Sequence, residues 1–325
     1  MPLSSYSSTY NNDIMTFYNN CGYSACNRLI TWCEPILSSD SLLGIKYVLS
    51  DYSQPGYQIA SNMSYNDKMI YENPYALGIG YKTPDDILST ISSENEFEYQ
   101  NELLSKIVGH TVKCYKKCTA QKLENEDGYT WIINSPKHDA ILYGYCTNVV
   151  GNRFDLYIDD VLRTNYSMWS SYKTFQLGKS NQSTHHVQLK GEHLKASDVN
   201  GVFYYLDIAE FSNTINEIAS KQVNTLILED QYIKCEYTAQ ENETIMLSVP
   251  YDNGWSVYVN GQKTPAAKLQ NIFMGINVSP GSNTIELKYS LPGLKIGLIL
   301  SCLGICVYIF AYILTQRATK KIIHN

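Results

Sequence analysis

The chain has 325 residues, enough for two or three domains, with 44% hydrophobic and 17% charged residues. That composition builds real cores and excludes a disordered chain. A formal net charge of −6 with no compensating basic stripe excludes nucleic acid as an expected partner.

Met1 leads directly into Pro2-Leu3-Ser4-Ser5-Tyr6-Ser7-Ser8-Thr9-Tyr10, with neither the basic region nor the apolar stretch of a signal peptide. Residues 1–125 read as a small mixed α/β segment. Asp13 to Asn20 is a short amphipathic stretch, and Leu42 to Asp51 reads as a turn entering a β-strand. Further strands are expected around Tyr57 to Ala60, Met69 to Glu72 and Leu77 to Lys82. Pro84, with Asp85 and Asp86 behind it, is expected to open a helix. Another helix is expected over Glu96 to Val108, ending at Gly109.

Residues 126–290 are expected to be mostly β, and they repeat. Asp155-Leu156-Tyr157-Ile158-Asp159-Asp160 resembles Ser256-Val257-Tyr258-Val259-Asn260-Gly261, and Phe175 to Lys190 matches Phe273 to Lys288 in length. Each copy alternates with period two through a strand, a tight turn, a second strand, a polar turn and a third strand. The expected fold class is α+β, mostly β, with two tandem antiparallel β-sandwich (jelly-roll-like) modules over 126–210 and 223–290. Between them, residues 211–222 carry Phe211, Ile215 and Ile218 on one helical stripe, with Ser212 as a candidate N-cap.

A transmembrane helix is expected over 291–316. Its apolar run, Leu294 to Leu314, is long enough to cross a bilayer, and Arg317, Lys320 and Lys321 follow it. Basic residues beyond a span mark the cytoplasmic side. The protein is therefore expected at the cell membrane, with a basic cytoplasmic tail at 317–325 and the bulk of the chain extracytoplasmic. Leu291-Pro292-Gly293 is almost no linker, so the second module should sit close against the outer surface.

Chemistry is sparse. No GxSxG, HExxH or Gly-rich phosphate loop occurs, so no catalytic residue is assigned. His185-His186, Asp85-Asp86, Asp159-Asp160 and Glu229-Asp230 read as surface-turn, hairpin or helix-start residues. Cys302 and Cys306 fall in the membrane run, leaving seven others, an odd number. One or two disulfides suit an outer compartment, with connectivity open, and no cysteine set has zinc-site spacing. Tyrosine is overused, 28 against 8 Phe and 4 Trp; its amphipathic ring suits both sugar contact and half-buried strand positions. The candidate carbohydrate surface is Tyr251, Asp252, Asn253 and Trp255, with Trp169 and Tyr172 in a loop of the first copy. The alternative is a turn whose Trp plugs one end of a sandwich.

Six stretches in order extend a resemblance over nearly the whole chain. They are Ser5-Tyr6-Ser7-Ser8-Thr9-Tyr10-Asn11, Leu42-Leu43-Gly44-Ile45-Lys46-Tyr47, and Tyr71-Glu72-Asn73-Pro74-Tyr75-Ala76-Leu77-Gly78. Phe97-Glu98-Tyr99-Gln100-Asn101-Glu102-Leu103, Val249-Pro250-Tyr251-Asp252-Asn253-Gly254-Trp255 and Phe273-Met274-Gly275-Ile276 complete the set. Together they resemble the extracytoplasmic C-terminal region and last helix of the YfhO-like family of bacterial multi-pass membrane proteins.

The resemblance implies an upstream transmembrane region of the same enzyme, which would also account for the missing export signal. It implies a GT-C-like glycosyltransferase that takes sugar from a polyprenyl-phosphate carrier and decorates a cell-envelope glycopolymer such as lipoteichoic acid. The catalytic acidic residue of such enzymes lies in an early outer loop outside this chain, so none is carried over, and no cofactor or metal is assigned here. The alternative is a non-enzymatic, membrane-tethered carbohydrate-binding or adhesion protein.

Overall fold

A computed structural model describes residues 5–6, 11–26, 29–31, 34–65, 68–125, 128–149, 154–166, 174–191 and 199–323. The chain is mostly antiparallel β, arranged as two sandwiches with a helical layer between them. In the first sandwich a five-stranded sheet runs Val161–Asn165, Asp155–Ile158, Thr184–Lys190, Gly128–Asn134, Ala120–Asn125. It faces a four-stranded sheet of Phe175–Lys179, Ala140–Thr147, Asn200–Asp207 and Tyr115–Lys117. Trp131, Leu156, Val187 and Leu189 from one sheet meet Leu142, Phe175 and Phe203 from the other.

The second sandwich repeats this plan. Its five-stranded sheet runs Asn224–Glu229, Tyr232–Ala239, Gly281–Tyr289, Trp255–Val259, Gln262–Thr264. Its four-stranded sheet is Ala267–Leu269, Phe273–Val278, Glu243–Pro250 and Gly80–Thr83. The expected repeat extends to the hairpin tips. Asp159 and Asp160 sit at φ 50° and 64°, and Asn260 and Gly261 at φ 52° and 78°, the left-handed pair that a two-residue hairpin requires. Asp159 Oδ1 accepts from His186 N at 2.8 Å, and Asn260 Oδ1 accepts from Thr284 N at 2.8 Å. One carboxylate or amide thus pins the tip to the next strand in both copies.

Gly80–Thr83 completes the second sandwich from far upstream. Lys82 Nζ reaches Glu243 Oε1 at 2.8 Å across 161 residues of sequence, and the Glu243 side chain is only 2% exposed. Burial raises the Glu243 carboxyl, but hydrogen bonds from Lys82 and Tyr237 outweigh it and hold the group below its ordinary value. Lys82→Ala is expected to cost about 1–3 kcal/mol, the price of leaving a buried carboxylate without its cation. Denaturant unfolding of the detergent-solubilised chain would measure it, and a loss below a few tenths of a kcal/mol would show the strand to be held by packing alone.

The helices form where local signals and burial agree. α1 (Asn12–Asn20) is capped by Asn11, whose side chain accepts from Asp13 N at 2.9 Å. α2 (Leu37–Leu42) was not expected: Ser-Ser-Asp-Ser shows no apolar period, yet all six residues are buried. α3 covers Glu96–Val108 as expected, with Asn95 accepting from Phe97 N and Glu98 N, and Gly109 closing it at φ 86°. α4 (Ile208–Ala219) begins earlier than expected, because Asp207 rather than Ser212 caps it, accepting from Glu210 N at 3.2 Å. Its stripe of Phe211, Ile215 and Ile218 is buried. The helix expected after Pro84 is a single 3-10 turn, Asp85–Leu88. Ile87 is buried there but Leu88 is 60% exposed, so no apolar face exists to reward a second turn.

α1 to α4 pack between the two four-stranded sheets. Tyr143 and Tyr204 from one and Met246 and Phe273 from the other share a core with Phe97, Leu103 and Phe211. This covers the outer faces of both sheets, which explains why Ala140 to Gly144 are buried without alternation. Much of the tyrosine excess is interior: Tyr81, Tyr115, Tyr143 and Tyr166 are among the largest fully buried side chains. The first sandwich enters and leaves this layer at one point, where Asp207 N donates to Cys114 O at 2.9 Å.

α5 (Leu294–Ile323) holds a 21-residue candidate span, Leu294–Leu314, long and apolar enough to cross a membrane and covered by none of the other described residues. Lys295 falls in its first turn.

Candidate functional site

The turn from Tyr251 to Trp255 joins Glu243–Pro250 to Trp255–Val259. Asp252 folds it: Oδ1 accepts from Gly254 N at 2.7 Å, and its carbonyl accepts from Trp255 N at 3.1 Å, an Asx-turn. Gly254 is needed for close approach, since a Cβ there would stand 2.5 Å from Tyr289 Cε2 and 2.8 Å from Ser290 O. Trp255 is half-buried and meets Tyr289 edge-on, with ring centroids 5.0 Å apart. Tyr251 is half-buried too, its N–H given to Ile272 O at 2.6 Å. Both rings pack on the core of the second sandwich, and what the turn offers outward is Asp252 and Asn253, both exposed. Trp169 and Tyr172 lie outside the described residues.

Two open depressions lined mostly by polar residues adjoin the start of α3, and no linear pattern points to them. The first, about 240 Å³, is lined by Asn19, Asn20, Glu94, Glu96, Tyr99 and Tyr145. The second, about 470 Å³, continues from Glu94 past Glu98 and Glu102 to Lys113. Burial, then the neighbouring Glu96, pushes the Tyr145 hydroxyl well above its ordinary value, so it stays protonated and able to donate. The residues of the smaller depression come from α1, α3, the loop before α3 and the strand Ala140–Thr147, four places that no linear motif connects.

Two buried carboxyls lie deeper. Asp40, in α2, accepts from the hydroxyls of Tyr23 and Tyr57. Around it Ser38 bonds Gln100 and, at 2.7 Å, Tyr115. Glu34 is 5% exposed and accepts from Gln176 N at 2.5 Å and Tyr52 at 3.4 Å. Arg163 stands over the Tyr52 ring at 4.7 Å. Burial pushes the Glu34 carboxyl up to about 7, against the opposing pull of Gln176 N–H, Arg163 and Tyr52.

The remaining singled-out residues are structural. His185 is not a surface residue as expected of its turn. It is 3% exposed on Thr184–Lys190, with Nδ1 in hydrogen-bond contact with Asp159 Oδ2 at 2.8 Å. Among the described residues Cys21, Cys114, Cys118, Cys146, Cys235, Cys302 and Cys306 are free thiols. No group of three or more His, Cys, Asp or Glu among them converges to hold a metal.

The model of the family described as bacterial membrane protein YfhO matches residues 2–301. The chain belongs to the YfhO family. It is 24% identical to the Bacillus subtilis (strain 168) protein named Uncharacterized protein YfhO, over 94% of this chain and 40% of that protein. The chain thus spans about two-fifths of the curated relative it matches. Among solved structures it is similar to a Paenibacillus sp. cycloisomaltooligosaccharide glucanotransferase, 8% identical, at a TM-score of 0.18, covering 53% of this chain and 44% of that one. It is also similar to an anti-sigma factor domain-containing protein, 12% identical, at a TM-score of 0.16, covering 54% and 82%. Likeness at that level carries no fold or functional argument. YfhO-family membership and the apolar α5 make this a membrane protein.

Proposed function

We propose that this YfhO-family chain is the extracytoplasmic accessory module of a membrane-embedded, GT-C-like glycosyltransferase, which moves sugar from a polyprenyl-phosphate carrier to an envelope polymer of the lipoteichoic-acid kind. The observation that carries the reading is the join between Gly281–Tyr289 and α5. Only residues 290–293 separate strand from span, so the second sandwich stays close to the bilayer surface where a lipid-linked donor lies. Arg317, Lys320 and Lys321 beyond the span favour the tail inside and the sandwiches outside. The module would bind or guide the acceptor, and the transfer chemistry would lie elsewhere in the longer enzyme.

Deleting the gene in its host should strip sugar from the polymer and let the lipid-linked sugar accumulate, as read by NMR of the purified polymer and by lipid extraction. An unchanged polymer would sink the proposal. Restoration by a gene in which unrelated sandwiches replace residues 1–290 would sink the guiding role alone. A second reading, a non-enzymatic carbohydrate-binding protein, is favoured by the Asn- and Tyr-lined depression beside α3. It expects an unaltered polymer in the deletion strain, together with glycan binding that Asn20→Ala weakens.

A further inference from the structure

The end of the second sandwich nearest α5 has an unusual surface. Four strands of its five-stranded sheet have an end there, and register places Glu229 opposite Tyr232, Tyr232 opposite Lys288 and Trp255 opposite Tyr289. Tyr251 closes the same end from the facing sheet. Lys288 lies near the rings of both Tyr232 and Tyr258, at 5.8 and 5.2 Å. Leu228 on the edge strand is 61% exposed and Leu291 is 56% exposed. Lys295 follows in the first turn of α5. Tyrosine, tryptophan and lysine beside scattered leucines are what the headgroup layer of a bilayer selects, because one end of each side chain is apolar and the other is wet.

Chain connectivity fixes how far this end can stand from the membrane. Tyr289 N donates to Gln231 O and Ser290 N to Gly254 O, both at 2.9 Å, so the chain is pinned to the sandwich through Ser290. Only Leu291, Pro292 and Gly293 bridge the sandwich to α5, with Leu291 O and Gly293 O accepting from Leu294 N and Gly297 N, and three residues reach about 11 Å at most. The headgroup layer is itself roughly 6 Å deep on each side of the hydrocarbon. The collar therefore lies in or against that layer whichever way the span is oriented.

We propose that this end of the second sandwich is seated in the lipid headgroup layer, with Trp255, Tyr289, Tyr251 and Tyr232 as an aromatic collar and Lys288 and Lys295 beside the phosphates. The Tyr251 to Trp255 turn then serves as a lipid anchor rather than a sugar platform, independently of whether the parent protein transfers sugar. A carbohydrate platform needs one aromatic face fully open, which the Tyr289 and core contacts deny Trp255, whereas interfacial seating needs only the partly exposed edge that a half-buried ring retains.

The test uses the full chain in vesicles of phosphatidylethanolamine and phosphatidylglycerol. A nitroxide is attached through an encoded azido side chain at Asn253, on the collar, or at Asn242, in the exposed turn at the opposite end of the same sandwich. Relaxation by oxygen, which partitions into lipid, is compared with relaxation by a water-soluble nickel chelate. The oxygen-to-nickel ratio should be several-fold higher at Asn253 than at Asn242, and the difference should shrink in Trp255→Ser/Tyr289→Ser. Equal ratios at the two positions in the otherwise unaltered protein would overturn the proposal. So would a label at Asn253 shielded from both reagents, which would mean protein covers the collar, or one protected in detergent by a soluble envelope glycan.

Discussion

Asp40→Ala is expected to cost about 2–6 kcal/mol of stability, from two buried tyrosine hydroxyls left without their acceptor at about 1–3 kcal/mol each. Asp40 is fully buried and accepts hydrogen bonds from the hydroxyls of Tyr23 and Tyr57, themselves buried. With the carboxylate gone, two hydroxyls keep their desolvation penalty and lose their acceptor, and a cavity opens within α2. α2 lies in the layer that joins the two sandwiches, so one cooperative loss is expected in denaturant unfolding of the solubilised chain. Asp40→Ala combined with Tyr57→Phe should lose less than the sum of the two single changes, because one stranded hydroxyl is removed. Strict additivity would mean that the tyrosines do not depend on Asp40.

Glu34→Gln should stabilise the protein at pH 8 relative to pH 5. Burial places the folded-state carboxyl at about 7, above its ordinary 4.5. The protonated form is thus favoured on folding. The associated stability is present in full below about pH 4.5 and is lost as pH rises through about 7. Above that range a buried carboxylate costs about 3 kcal/mol. Glutamine keeps an acceptor for Gln176 N–H and carries no charge. The difference in unfolding free energy between variant and native chain should therefore grow by about 2.5 kcal/mol from pH 5 to pH 8. A pH-independent difference would show that Arg163 keeps Glu34 ionised throughout.

The elements that were legible in the sequence are those whose local and tertiary signals coincide. α3 is the clearest, since Asn95, its apolar stripe and Gly109 each point to the same boundaries. The paired hairpin tips at Asp159-Asp160 and Asn260-Gly261 exposed the tandem design because left-handed turns narrow the choice of residue. α2 was invisible because its buried face is polar, and hydrophobic periodicity has nothing to register in Ser38, Ser39, Asp40 and Ser41. The role of Gly80–Thr83 could not be seen either, since its partner strand lies far downstream. At the candidate surface, Tyr251 to Trp255 was legible as an aromatic turn, but what its rings touch depends on Tyr289, Ile272 and the direction in which α5 departs. The smaller depression beside α3 joins residues from four separate elements, and a linear reading has no means of bringing them together.

The long reach between Gly80–Thr83 and Glu243–Pro250 also sets an order of events in time. A ribosome adding roughly 5–20 residues per second needs on the order of 10–30 s to deliver the second strand after the first. During that interval the first sandwich, whose entry and exit meet at Cys114 and Asp207, can close as an inserted unit, while Gly80–Thr83 waits with an unpaired edge. Gly80–Thr83 can gain its partner only after residue 250 has emerged, and the second sandwich can seal only after residue 289, immediately before α5 reaches the insertion machinery. Folding of this chain is thereby coupled to its own membrane insertion, and a pause in synthesis between residues 83 and 243 would prolong the exposure of that edge more than a pause elsewhere.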